Sequence, residues 1–129
     1  MGRGSGVKGG RRDDLDGLFV RSSWEANVAR YLKFLVRHGS ISSWSYEAEE
    51  FEFPVKRGTR FYKPDFRVVN LNLSVEYWEV KGWWDKVSKT QMKRMAKYYK
   101  DVKIVLIDED AYRAIASKAK HLCPHWESG

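Results

Sequence analysis

The sequence predicts an α/β fold: a mixed β-sheet flanked by helices, in the order α, β, β, β, α, β, α. Three observations carry this. Apolar residues recur at helical spacing in three segments. Runs rich in β-branched and aromatic residues fill the stretch between the first two helices, with turn residues at hairpin spacing. A continuous apolar run, "VKIVLID", stands before the last helix. With 129 residues, 43% hydrophobic and 15% aromatic, the chain is read as one domain able to bury a core without disulfides or a structural metal.

Residues 1–17, opening "MGRGSGVKGGRR", read as a flexible basic tail, which leaves 18–129 as the folded domain. The tail has no apolar stretch of the kind a secretory signal requires. No apolar run approaches the roughly 20 residues needed to cross a bilayer. In "RSSWEANVARYLKFLVRHG", Trp24, Val28, Leu32, Leu35 and Val36 follow helical spacing. Ser22 suits an N-cap and Gly39 a stop, so a helix is expected over 23–38. "SSWSYEAEEFEFPV" reads as a strand with an irregularity, because Trp44, Tyr46 and Ala48 share one face and Phe51 and Phe53 follow a shift. "RGT" is a turn. Residues 61–69 and 75–82 are expected to pair as a hairpin across "LNLS". A helix is expected from Lys86 to Tyr99 with Met92, Met95, Ala96 and Tyr99 inward. "VKIVLID" suits a strand covered on both faces. A last helix is expected over 110–121.

A formal charge of +7 and a pI near 9.5 point to a polyanionic partner, nucleic acid first and an anionic membrane surface second. The single cysteine, Cys123, makes no internal disulfide and fits a reducing cytoplasm. His121, Cys123 and His125 form H-x-C-x-H, but the second ligand pair of a zinc site is missing from the sequence.

The chemistry concentrates in two strands. Once 61–69 and 75–82 form a hairpin, Asp65 and Glu79 lie on neighbouring strands. Two carboxylates about 4 Å apart repel by roughly 4 kcal/mol at an effective dielectric near 20. Opposed like charges destabilise a sheet, so the pairing makes sense around a divalent cation. Hard oxygen ligands with open positions suit Mg²⁺, and the backbone carbonyl of Val80 is a further candidate ligand. Lys81 leaves the same strand face as Glu79. There it is placed to orient a metal-bound water or to stabilise a pentacovalent phosphate, which is the requirement of metal-assisted attack on a phosphodiester. Pro64 cannot donate to a sheet ladder, so it marks an edge or bulge that leaves Asp65 accessible.

"PD" at 64–65 followed by "EVK" at 79–81 resembles the signature of the PD-(D/E)XK nucleases. "FVRSSWEANVARYL", "ISSWSYEAEEFEFP", "YKPDF" and "EVKGWWD" resemble, in that order, the phage endonuclease I family of Holliday junction resolvases, over roughly residues 19–99. "EVKGWWDKVSKTQMKRMAKYY" is also similar to small phage-encoded nucleases and transposase endonuclease subunits. The resemblance implies a restriction-endonuclease-like sheet, Mg²⁺ dependence (with Mn²⁺ able to substitute) and an intertwined homodimer acting on opposite strands of branched DNA. It further implies products with 5′-phosphate and 3′-hydroxyl ends. It assigns the metal site to Glu25, Asp65 and Glu79, with Lys81 beside them. Glu25 also admits a second role, because Ser22-x-x-Glu25 is a capping box.

Lys86, Lys89, Lys93, Lys97 and Lys100 form a stripe without interleaved acids, read as a phosphate-contacting face joined by Arg94 and Tyr98. Arg11 and Arg12 in the tail are expected to add nonspecific contacts. Trp78 is expected in the core. Trp83 and Trp84 fit either a DNA wedge or a subunit interface. The sequence thus predicts a Mg²⁺-dependent DNA endonuclease, cytoplasmic and homodimeric, acting on branched or four-way junction DNA. The alternatives are an endonuclease subunit of a transposase-like complex and a non-catalytic DNA-binding module.

Overall fold

The computed structural model describes residues 8–128. Three helices and a mixed four-stranded sheet form its frame, as the sequence predicts. Strands β1 (Gly10–Arg12) and β2 (Leu18–Val20) make an antiparallel hairpin closed by a 3₁₀ turn at Asp13–Leu15. The expected tail is therefore corrected from residue 10 onward, while residues 1–7 lie outside the described part. Two interactions explain the ordering: Leu15 and Val20 enter the core, and the Arg12 guanidinium binds Glu127 at 2.6 Å.

Helix α1 (Ser23–Arg37) starts where Ser22 Oγ accepts the Glu25 N–H at 3.1 Å. It stops before Gly39, whose φ of 72° closes the end as only glycine does cheaply. Every residue from Ser22 to Arg30 is buried, more than one apolar stripe demands. Its polar members are satisfied by distant chain: Asn27 Nδ2 donates to Tyr112 Oη and to the Glu127 carbonyl, each at 2.8 Å. Arg30 pairs with Asp14 and Glu127, both at 2.8 Å.

The predicted irregular strand is two strands, β3 (Ser43–Tyr46) and β4 (Phe51–Glu52), separated where Glu47 takes φ 48°. The predicted strand over 61–69 is also two, β5 (Phe61–Tyr62) and β6 (Phe66–Val69). Pro64 lies in the break, where no ladder N–H is needed. β4 and β5 pair in a small sheet of their own. The main sheet has the order β3-β6-β7-β8, with β7 at Val75–Val80 and β8 at Lys103–Ile107. β6 and β7 form the expected antiparallel hairpin, Phe66 opposite Trp78. β8 runs parallel to β7 after helix α2 (Lys86–Tyr98).

The expectation that "VKIVLID" is covered on both faces is corrected: β8 is an edge strand and Leu106 is 45% exposed. Helix α3 (Glu109–Ala119) begins at the Asp108 cap, close to the predicted bounds. Strand alternation divides the core between the two faces of the sheet. On one face, Phe66, Val68 and Val80 pack with Val28 and Leu32 of α1 and Tyr112 of α3. On the other, Tyr77 packs with Phe51, Phe53, Tyr62 and Met95 of α2. Met92 and Tyr99 join this second core, whereas Ala96 is exposed, contrary to expectation. Trp78 packs against the first core and bonds Glu76 through its indole N–H at 2.8 Å. No described helix is long and apolar enough to cross a membrane.

Candidate active site

Glu79 lies three positions beyond Glu76 on β7, on the face opposite Trp78 and Val80, and Asp65 immediately precedes β6. Extending the hairpin register by one pair sets Asp65 opposite Glu79. Asp65 Oδ2 accepts the Val80 N–H at 2.7 Å. Glu25 arrives from the first turn of α1. Glu25, Asp65, Glu79, Val80 and Lys81 line one cleft of about 470 Å³. Glu25 of α1, Asp65 just before β6, Glu79 and Val80 of β7 and Lys81 just after it thus line the same cleft.

The three acids are 7%, 4% and 8% exposed, and burial disfavours their charged forms. Burial, then Glu79 and then Glu25, pushes the Asp65 carboxyl well above its ordinary range. Burial pushes Glu79 up, opposed by the Tyr62 hydroxyl and Lys81. Burial raises Glu25 likewise, opposed by Tyr46 and the Arg21 N–H. The cations lining the cleft are Arg21, Lys63 and Lys81. Arg21 is drawn toward Glu47, its Nη1 lying 2.6 Å from Oε2; this contact neutralises charge without hydrogen-bond alignment.

Each acid rests on a protein donor. Glu25 Oε1 accepts from Tyr46 Oη at 2.5 Å and from the Arg21 N–H at 3.1 Å. Glu79 Oε1 accepts from Tyr62 Oη at 2.8 Å. The expected capping box is half present: Ser22 caps the helix, but Glu25 reaches the amide of Arg21, one residue before the cap. Among the described residues, no three carboxylate, imidazole or thiol groups are already gathered as a metal cage. The donor set nevertheless fits a hard divalent cation. It consists of carboxylate oxygens, and burial raises the proton affinity of all three acids, Asp65 further through Glu79 and Glu25, so a divalent charge in the cleft would favour their ionised forms.

Lys81 Nζ donates to Ser88 Oγ at 2.8 Å, which anchors the amine to the first turn of α2. That turn is capped by Asp85, accepting the Ser88 N–H at 2.7 Å. Gly82 follows because a Cβ there meets the Trp24 ring at 3.0 Å. Trp24 is itself stacked on Tyr112, with centroids 4.2 Å apart.

The basic stripe is as expected in part. Lys86, Lys89, Lys93, Lys97 and Lys100 are exposed. Arg94 donates to the Thr59 carbonyl and ties α2 to the segment before β5. Arg12 pairs with Glu127 at 2.6 Å, and Arg11 donates to the Gly17 carbonyl at 3.0 Å. Trp83 is 67% exposed and borders a neighbouring opening with Arg21, Glu25 and Lys81. Cys123 is buried, between exposed His121 and His125.

Sequence reasoning missed Tyr46, Tyr62, Ser88 and Arg21. Tyr62 lies three residues before Asp65 and Ser88 seven after Lys81, but no periodic signal marks either. No family model matches the chain, and a search of curated proteins finds no match.

Proposed function

We propose that the protein is a divalent-metal-dependent DNA endonuclease of the PD-(D/E)XK type, with a restriction-endonuclease-like core. The observation that carries this reading is the convergence of Glu25, Asp65, Glu79 and Lys81 on one cleft. Buried like charges cost several kcal/mol each unless compensated. A chain that assembles three of them from separate elements uses them.

Glu25, Asp65, Glu79 and the Val80 carbonyl are the proposed ligands, for Mg²⁺ or Mn²⁺. When bound, the cation supplies Lewis acidity toward a phosphate oxygen and a water of lowered pKa. The chain's own residues do the rest. Lys81, held by Ser88, points its charge into the cleft to orient the attacking water and stabilise negative charge developing on phosphorus. The exposed lysines of α2, which begins five residues after Lys81, hold the flanking phosphates. In this reading the substrate is branched or four-way junction DNA and the enzyme a homodimer, since resolving a junction requires two cuts.

The test is cleavage of a four-way junction and a linear duplex of the same sequence, each with Mg²⁺ and with EDTA. Mg²⁺-dependent cutting of the junction in preference to the duplex is expected. Equal cutting of both overturns the junction substrate. No cutting of either, with Mg²⁺ or Mn²⁺, overturns the nuclease reading.

A further inference from the structure

We propose that Tyr46 and Tyr62 are positioning residues that aim Glu25 and Glu79 at a divalent cation, a role that rests on the metal-dependent reading above. Two phenols from different elements do the same thing. Tyr46, on β3, donates to Glu25 Oε1 at 2.5 Å. Tyr62, on β5, donates to Glu79 Oε1 at 2.8 Å. Tyr62 is 2% exposed, so its hydroxyl must find a partner inside the protein. Its partner is a cleft-lining acid rather than a backbone carbonyl.

Glutamate has three side-chain torsions, and a free one loses rotamer entropy on fixing to a ligand. A carboxylate pinned through one oxygen has already lost that freedom, and its second oxygen is fixed in direction by the first. Arg21 reinforces the effect at Glu25, because its N–H reaches the same Oε1 at 3.1 Å. The arrangement follows the general rule that carboxylates which hold metals are themselves hydrogen-bonded, with removal of the outer partner costing about 10- to 100-fold in affinity. Asp65 obeys it through the Val80 N–H. Each of the three acids then accepts at least one hydroxyl or amide donor from the chain.

A merely structural role makes a different prediction. If the phenols only satisfy buried carboxylates, deleting them lowers stability and leaves cation affinity of the folded protein unchanged. Phenylalanine is the discriminating substitution, because it removes the oxygen and keeps the ring, which in Tyr46 packs on Phe66 with centroids 5.3 Å apart.

The experiment is calorimetric titration of MnCl₂ into the full chain as wild type, Tyr46→Phe and Tyr62→Phe, with folding checked by circular dichroism in EDTA. Each variant is expected to bind Mn²⁺ about ten-fold more weakly than wild type. A loss below about three-fold, or a gain, in a folded variant overturns the positioning role and leaves the metal site standing. Failure of wild type to bind Mn²⁺ overturns both readings together. Should Tyr62→Phe not fold, the half-buried Tyr46 carries the test alone.

Discussion

Asp65 Oδ2 accepts the backbone N–H of Val80 at 2.7 Å, so the acid after the proline is tied to the strand that carries Glu79 and Lys81. This bond pulls one carboxylate toward another. The bond itself favours the ionised carboxylate, but burial, then Glu79 and then Glu25 outweigh it and leave the proton affinity of Asp65 raised.

Asp65→Asn keeps an oxygen for the Val80 N–H and removes the repelling charge. A carboxyl whose pKa is raised on folding destabilises the fold above that pKa. The variant is therefore expected to melt higher than wild type at pH 7.5 in EDTA, while cleavage is abolished. Mg²⁺ should raise the melting temperature of wild type, by preferential binding to the folded state, and leave that of Asp65→Asn nearly unchanged. Differential scanning fluorimetry with and without MgCl₂ measures both; a lower melting temperature for the variant in EDTA contradicts the electrostatic account.

Lys81→Ala is expected to reduce Mg²⁺-dependent nicking by about 100-fold or more, with junction binding retained. Ser88→Ala leaves the amine charged but unanchored and is expected to cost less, about ten-fold, comparable to removal of one ordinary hydrogen bond of about 1 kcal/mol or slightly more. Nicking assays with matched gel-shift titrations measure both. Wild-type cutting by Lys81→Ala removes the lysine from the mechanism.

Binding is expected to weaken steeply with salt. Replacing Lys89 and Lys93 together with alanine should lower the slope of log affinity against log salt by about two, because each lysine that neutralises a phosphate releases about one counterion. Fluorescence anisotropy across a range of KCl concentrations provides the slope. An unchanged slope takes α2 out of the interface.

Gly82→Ala sets a methyl 3.0 Å from the Trp24 ring, and the stack on Tyr112 limits how far that ring retreats. The expected cost is about 1–3 kcal/mol from overpacking, read from the urea midpoint. Activity should fall with it, because the displaced backbone adjoins Lys81. A neutral effect on the midpoint shows that Trp24 yields freely.

Partial burial acts to raise the Glu127 carboxyl, but hydrogen bonds from Arg12 and Arg30 outweigh it and hold the group at about 2, below its ordinary 4.5. A depressed carboxylate contributes stability that is complete above its unfolded pKa and is lost as pH falls through the folded one. The pair's contribution is thus present above about pH 4.5 and fades toward pH 2. Glu127→Gln is expected to cost about 2 kcal/mol at neutral pH, since Arg30 is buried and among the described residues keeps Asp14 alone as an ionic partner. The gap between variant and wild type should close as the pH drops. The cleft acids shift in the opposite direction, so this difference, not the wild-type curve alone, isolates Glu127. A gap that is constant from pH 7 to pH 2.5 rules the ion pair out as its source.

Much of the local structure was legible in the chain. Trp24, Val28 and Leu32 repeat at the helical period, and Ser22 and Gly39 punctuate that helix at both ends. The run around Asp65 and the run around Glu79 alternate as strands and pair as a hairpin. Glu79 and Lys81, two apart, share a face by the pleat alone. These features depend on neighbours within a few residues, where backbone geometry and side-chain period decide the outcome.

Other features belong to tertiary structure. Arg12 and Arg30 meet Glu127 across more than ninety residues, which converts an apparent basic tail into an ordered hairpin. "VKIVLID" has the composition of a central strand but becomes an edge, because among the described residues it pairs only with β7. Tyr46 and Tyr62 read as ordinary strand aromatics until folding brings their hydroxyls to Glu25 and Glu79. The sequence by itself determined the three helices, the β6–β7 hairpin and which of its side chains share a face. Only the tertiary structure decided which distant donors meet the three buried acids. A hydrogen bond selects its partner by distance in space, and the spacing of residues along the chain carries no record of that distance.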